Sequence, residues 1–350
     1  MPSRRLVLAA APAAALLALA ACSTGPAGGT SAAGTASAPV AADAYPVTIT
    51  HAHGETTIEK APARVATIGW ADADTVTALG VTPVGAPKIT WGGNAKGSTD
   101  WFDAQLAAIG GKDTDVTRYD DSAGIPFTDI AATKPDLILG LSSGVSKEDY
   151  DKLSTIAPVV AYTTAPWGTP WQEQVETIGT ALGRKAEAAE LVADTEGRIA
   201  AATAAHPEIR GKKAAWAWFT PTDLSTVGLY TTSDLRPQML REFGFVDSPT
   251  VVELSTADPT AFSVNLSAEK ASTLDADLIV FYAEEGAGAD AITGNALLGQ
   301  IPALQKKQYV ASADNAVALS MSLPSPLSVQ TAVEEFLPKV VSALNGTPAS

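Results

Sequence analysis

Apolar runs of strand length alternate with helical stretches along most of this chain, a pattern that leaves room for little besides a parallel α/β fold. Val65 to Ile68 reads as a buried strand, and Asp72 to Leu79 as a helix stopped by Gly80. Thr82 to Ala86, Pro135 to Gly140 and Val159 to Tyr162 are further strands. Ser146 caps a helix through Ile156, with Glu148 and Asp149 in its first turn. Residues 170 to 206 are helical apart from a break at Gly179 and Gly183. From Arg184 to Ala205 nothing interrupts, and Ala188, Leu191, Val192, Thr195 and Ile199 mark one face. A helix of that length spans roughly 30 Å, enough to run from one lobe to another, before His206-Pro207 ends it.

A second α/β set follows. Ala214 to Phe219 is a strand, and Ser233 caps a helix to Phe243. Ser267 caps a helix through Leu274, Leu278 to Tyr282 is a strand, and a helix lies around Asn295 to Ile301. Gln308 to Val310 is a short strand and Ser328 to Asn345 the last helix. The expected fold is α/β, with two Rossmann-like lobes (45–183 and 207–350) joined by one long interlobe helix (184–206). Before the first lobe strand, Val47 to Thr50 and Thr56 to Ile58 alternate around Ala52-His53-Gly54 as a hairpin. His51 and His53 on it lack a third ligand nearby and read as surface histidines.

The N-terminus concerns destination rather than fold. Arg4-Arg5 followed by the apolar run Leu6 to Ala21 reads as a secretory signal, over residues 1–21. Leu19-Ala20-Ala21-Cys22 matches a bacterial lipobox, and Cys22 is the chain's one cysteine. Acylation at Cys22 would leave residues 22–44, rich in Gly, Ala, Ser, Thr and Pro, as a flexible tether reaching roughly 25 Å. The expected location is the extracytoplasmic face of the cell membrane, held by lipid alone. One cysteine excludes a disulfide framework, and three histidines leave little for a zinc or manganese centre. A net charge of −15 argues against nucleic acid.

The ordered segments resemble a known family. The hairpin with Ala61-Pro62-Ala63-Arg64-Val65 looks like its opening. So do Trp70 through Gly80-Val81-Thr82-Pro83-Val84-Gly85 and Ile130 through Ile138. Leu240 to Phe245, Leu274-Asp275-Ala276-Asp277 and Leu298 to Ala303 match in the second lobe. Over 45–345 the chain resembles the substrate-binding lipoproteins of iron–siderophore ABC importers, a group that includes haem and cobalamin binders. The resemblance implies two α/β lobes on a rigid helix, no catalysis, a ferric siderophore as cargo and a membrane permease as partner. Iron would arrive as a chelate, so no cofactor is expected, and the protein is expected to be a monomer. An acidic residue on each lobe would meet the permease. Glu269 fits that place in the second lobe; in the first the usual position is Thr128, and Asp129 beside it is the substitute.

In open α/β sheets ligands bind beyond the carboxyl ends of strands. Aromatic residues crowd those places here: Trp70, Trp91, Trp101, Phe102, Tyr119, Trp167, Trp171, Trp218, Phe219, Tyr230 and Tyr282, with only Trp216 among the tryptophans inside a strand. Such a set calls for a cleft to line. Ser142 and Ser143 could add hydroxyls and loop N–H groups. Cations nearby are few: Lys88, Arg118, Arg236 and Arg241, with Arg236 foremost because Asp234-Leu235-Arg236 opens a helix facing the cleft. A trianionic catecholate would want several arginines, so a hydroxamate-type chelate is expected. Haem would need an axial ligand such as Tyr119, Tyr230 or Tyr282; cobalamin is a further option.

A serine hydrolase is the remote rival. Gly140-Leu141-Ser142-Ser143-Gly144 is a literal G-x-S-x-G, but the helix starts only at Ser146 and the sole late histidine is His206.

Overall fold

The computed structural model describes residues 44–283 and 288–350. Cys22, the signal segment and all but the last residue of the tether lie outside the described residues. An antiparallel hairpin, β1 (Val47–His51) and β2 (Gly54–Ile58), leads in. Its histidines are not surface groups. His51 is buried with Nε2 2.9 Å from Thr56 Oγ1, and His53 Nε2 lies 2.8 Å from the Val145 carbonyl. The hairpin packs on the lobe through those rings.

The first sheet has the order β5-β4-β3-β6-β7 and is parallel throughout. Its strands are β3 (Val65–Thr67), β4 (Gly85–Pro87), β5 (Thr117–Tyr119), β6 (Leu137–Gly140) and β7 (Val159–Ala161). Around it lie α1 (Asp72–Ala78), α2 (Asp100–Ala108), α3 (Phe127–Ala132), α4 (Lys147–Ser154) and α5 (Trp171–Ala181). Both faces are covered, which is why β3, β6 and β7 are buried at every position. The stretch after β4, where Trp101 and Phe102 were expected beyond a strand end, turns into α2 because Thr99 accepts from the Phe102 N–H and Asp100 and Asp103 sit in the first turn. Phe102 on α2 and Trp171 at the start of α5 point into the interior. Gly179 does not break α5; a Cβ there would collide with Ala188, so the glycine lets α5 lie close on the next helix. The stop comes after Ala181, with Gly183 at φ +67°.

That next helix, α6 (Lys185–Ala204), is the long connector, buried along Ala188, Val192, Thr195 and Ile199. One hydrophobic core runs along it, from Val65 and Leu139 in the first lobe through Ile199 to Trp216 and Phe336 in the second.

The second sheet has the order β11-β9-β8-β12-β13, with β10 beside β8. Its strands are β8 (Lys213–Thr220), β9 (Asp223–Tyr230), β10 (Val246–Asp247), β11 (Ser263–Ser267), β12 (Leu278–Tyr282) and β13 (Tyr309–Ser312). The sheet is mixed: β8, β10, β12 and β13 run parallel, while β9 and β11 pair antiparallel. The helices are α7 (Leu235–Glu242), α8 (Pro249–Ser255), α9 (Gly288–Thr293), α10 (Pro302–Gln305), α11 (Asn315–Ser322), α12 (Val329–Thr331) and α13 (Leu337–Leu344). The cap of α7 is Asp234 rather than Ser233: its carboxylate accepts from the Arg236 N–H. The segment after Ser267 is a 3-10 helix without a side-chain cap, and Leu298–Gln300 is another. The last helix is not continuous. Residues Ala332–Phe336 form a π turn between α12 and α13, because Pro338 has no N–H for the Glu334 carbonyl and its ring crowds that group.

Candidate functional site

Three carboxyl-end loops of the first sheet and the facing edge of the second lobe enclose a cavity of about 310 Å³. Trp70 follows β3, Trp91 follows β4 and Trp167 follows β7; Tyr230, Arg236, Phe262, Leu319, Ser322 and Leu323 come from the other side, with Asp234 and Leu235 behind Arg236. Phe262 is 49% exposed at the cavity, leaving an apolar ring free for a visitor.

The turn between β6 and α4 builds the tryptophan wall. Asp72, wholly buried, accepts from the Leu141 and Ser142 N–H groups, both at 2.9 Å. Burial nevertheless raises its carboxyl to about 6 against those hydrogen bonds. The turn so fixed presents two carbonyls: Ser142 O accepts from Trp70 N at 3.3 Å, and Ser143 O from Trp167 N at 3.1 Å. Trp167 sits in the left-handed region at φ +59°, a conformation that a bulky residue adopts only when its surroundings impose it. Gly144 makes room for its indole, since a Cβ there would stand 2.5 Å from Trp167 Nε1. Trp70 is steered by Asp121, which accepts its Nε1–H at 2.8 Å.

The polar corner is Arg236. Its Nη1 donates to both oxygens of Asp234, at 3.0 and 2.9 Å, and its Nε donates to Tyr282 Oη at 2.6 Å. Its guanidinium carbon stands 4.0 Å from the centre of the Tyr230 ring. Ser322 donates its hydroxyl proton to the Ala318 carbonyl, so across the 2.8 Å contact it is Tyr282 Oη that donates to Ser322 Oγ. Burial opposes the Arg236 charge, but Asp234 and the two tyrosines outweigh it and raise its pKa. Burial also pushes the Asp234 carboxyl upward, with Arg236 pulling the other way; a proton on one oxygen would cost that oxygen its guanidinium hydrogen bond, and with both oxygens accepting from Nη1 the two groups stand as an ion pair. Tyr282 further meets Trp91 edge to face, ring centres 5.3 Å apart, joining the two walls.

Of the residues expected to bind, Trp70, Trp91, Trp167, Tyr230 and Arg236 line the cavity, and Tyr282 supports it from behind. Others are placed elsewhere. Tyr119 is buried, its hydroxyl donating to the Thr67 carbonyl. Trp101 belongs to α2 and donates Nε1–H to Asp74 at 2.8 Å. Trp218 lies flat over Gly228 across the β8–β9 pair, where a Cβ would collide with its indole. Ser142 and Ser143 do not offer their N–H and hydroxyl outward as expected. The Ser142 N–H is used by Asp72, the Ser143 hydroxyl donates to Gly140 O at 2.7 Å, and both residues are buried. That burial, with α4 beginning at Lys147, also removes Ser142 as a nucleophile, and His206 pairs with Glu208. Among the other cations, Arg118 stacks on Phe102 and Arg241 pairs with Asp247; neither they nor Lys88 line the cavity. Asp129 and Glu269 are both exposed.

The sequence reading missed Phe262, Leu319, Ser322 and Leu323. The signal for the last three was Asp314, whose carboxylate accepts from Ala316 and Val317 N–H and starts α11. Phe262 gave only a lone aromatic in a turn.

Two α/β lobes braced by one helix, with an aromatic cavity between them, define a two-lobe solute-binding fold. The chain belongs to the periplasmic binding protein family, whose model matches residues 65–316 and whose members are substrate-binding proteins rather than enzymes. It is 36% identical to PiaA of Streptococcus pneumoniae TIGR4, solved in complex with ferrichrome, over 86% of this chain and 99% of that one, with a TM-score of 0.80. A periplasmic solute binding protein of Mycobacterium smegmatis str. MC2 155 is 30% identical, with coverage of 85% and 98% and a TM-score of 0.69. The ferric enterobactin-binding periplasmic protein FepB of Escherichia coli O6:H1 (strain CFT073) is 28% identical over 284 residues, 78% of this chain and 86% of FepB.

Proposed function

We propose that this protein captures a ferric siderophore of the hydroxamate type in the interlobe cavity and delivers it to the permease of an ABC importer. The observation that carries the reading is the cavity itself: indole and phenol walls with one guanidinium whose charge is matched by Asp234. A ferric trihydroxamate is neutral and presents flat chelate rings and carbonyl oxygens. Aromatic faces and a few donors suit it, and a protein ligand to the iron is not required. Likeness to PiaA, solved with ferrichrome, supports the same chemistry, while FepB is named for enterobactin, whose ferric tricatecholate carries three negative charges. One neutralised arginine favours the first of these.

Attachment through an acylated Cys22 would keep this body beside the permease, and Asp129 and Glu269 are the acidic groups proposed to meet it. The body acts as a monomer, with iron as cargo rather than cofactor. Titration of the purified protein with ferric hydroxamate, ferric catecholate, haem and cobalamin, read by tryptophan fluorescence, tests the reading. Saturable one-to-one quenching, tightest for the hydroxamate, is expected. Saturation by haem or cobalamin alone would overturn it.

A further inference from the structure

We infer that Asp234 is a specificity-determining residue: by cancelling the charge of Arg236 it turns the binding cavity from an anion receptor into one selective for neutral chelates. The inference rests on the siderophore reading above and adds to it the group that sets the ligand's charge.

An arginine that lines a cavity ordinarily attracts anions, through Coulomb attraction and its fork of N–H donors. Here the fork is already spoken for on one side. Both Asp234 oxygens accept from Arg236 Nη1, at 3.0 and 2.9 Å, and Nε is given to Tyr282. Asp234 is 1% exposed, so water does little to screen the pair. Among the described residues, Arg236 and Asp234 are the only charged side chains lining the cavity, and that described lining carries no net charge. The remaining donor edge can hydrogen-bond an uncharged carbonyl or hydroxamate oxygen. A polyanion would meet that donor together with a carboxylate a few ångströms behind it, and rejection of this kind is specificity by repulsion. The position also explains why an aspartate rather than a longer acid stands there. The same carboxylate accepts the Arg236 backbone N–H at 2.9 Å as the cap of α7, so a single short side chain fixes the helix start and the guanidinium together.

Asparagine is the informative replacement: its one oxygen can keep the cap bond from the Arg236 N–H and one bond from Nη1, while the negative charge and the second acceptor are removed. Binding of ferrichrome, a neutral ferric trihydroxamate, and of ferric enterobactin, a trianionic tricatecholate, is measured by fluorescence titration for the parent and for Asp234→Asn. The parent is expected to prefer the neutral chelate. Asp234→Asn should shift the affinity ratio toward the trianion by tenfold or more, with thermal unfolding confirming that the variant is folded. An unchanged ratio in a folded variant overturns the inference and leaves the siderophore reading standing; a parent that binds no ferric chelate ends both. A second measurement needs no variant. Lowering NaCl from 0.5 M to 0.02 M should leave the parent's affinity for the trianion flat or weaker, because no unmatched cation awaits it. Strengthening at low salt would reveal an uncompensated guanidinium and overturn the inference even if Asp234→Asn failed to fold.

Discussion

Single atoms decide the shape of the tryptophan wall. Gly144 is the case to test: an added Cβ would lie 2.5 Å from Trp167 Nε1 and 3.1 Å from its Cε2, and with the turn held by Asp72 it is the indole, facing the cavity, that must give way. Gly144→Ala should leave the fold intact but tilt Trp167, weakening ferric hydroxamate binding about tenfold, or ~1.4 kcal/mol. Fluorescence titration checks it; an unchanged affinity would place Trp167 outside the contact set. A second residue, Asp74, ties the lobes. Its Oδ2 accepts from Trp101 Nε1 at 2.8 Å and from Ser325 Oγ at 2.7 Å, the latter across the lobes. Burial raises its carboxyl from 3.8 to about 6, although Ser325, Trp101 and the more distant Arg118 favour the anion. A folded-state pKa above the unfolded one means the proton binds more tightly to the folded protein. This contribution to stability is fully present below pH ~4 and is lost as pH rises through about 6, on the order of 3 kcal/mol. Asp74→Asn can keep both acceptor bonds without titrating. Its stability relative to the parent should therefore climb between pH 4 and pH 7.5 in urea unfolding, and a difference independent of pH would contradict the assignment.

At the scale of elements, the loop after β4 meets the start of α11. Gly92 has φ +71°, and a Cβ on it would collide with the Asn315 carbonyl, while the neighbouring Trp91 packs edge-on to Tyr282. Gly92→Ala should act as a wedge between the lobes. We expect a loss of roughly 1–3 kcal/mol in stability, with weaker chelate binding, both measurable on the same preparation. Full stability with full binding would show that the two backbones can part freely. The elements that could be read from sequence were those whose pattern is set locally: the apolar strands β3, β6, β7 and β12, the capped helix after Ser146, and α6. Those missed depend on partners. The first half of β9, Asp223 to Thr226, is mostly polar and solvent-facing, so nothing marked it as a strand until β8 and β11 paired with it. The π turn before α13 follows from Pro338, which was visible, but its effect on a helix held by the core was not.

For the whole molecule, the rule that ligands sit beyond strand carboxyl ends located Trp70, Trp91 and Trp167, because each follows a parallel strand directly. It failed for Tyr119, which ends a strand but turns inward to Thr67, and for Trp218, because β8 continues into a hairpin with β9 instead of stopping at the cleft. Arg236 could be found from sequence as a helix-opening cation; its neutralisation could not, since that depends on where Asp234 points. The two halves are held by more than α6. Gln172 Nε2 donates to Glu242 at 2.9 Å, Gln238 Nε2 to the Gly168 carbonyl at 3.1 Å, and Ser325 Oγ to Asp74 Oδ2 at 2.7 Å. Bonds on several sides of the cavity oppose wide opening, so ligand capture should involve only a small change in lobe orientation. Small-angle scattering should show a radius of gyration altered by less than about 1 Å on adding ferric hydroxamate, and a larger contraction would mean a hinge that α6 does not restrain.

The central claim is that a chelated iron rests between the indole wall and the Arg236 corner without touching a protein ligand. Anomalous diffraction at the iron edge, from crystals grown with a ferric hydroxamate, tests it most directly. The account predicts one iron peak inside the cavity lined by Trp70, Trp167 and Arg236, its coordination filled by the chelator. A peak elsewhere on the molecule, or iron bonded to a protein side chain, would contradict it.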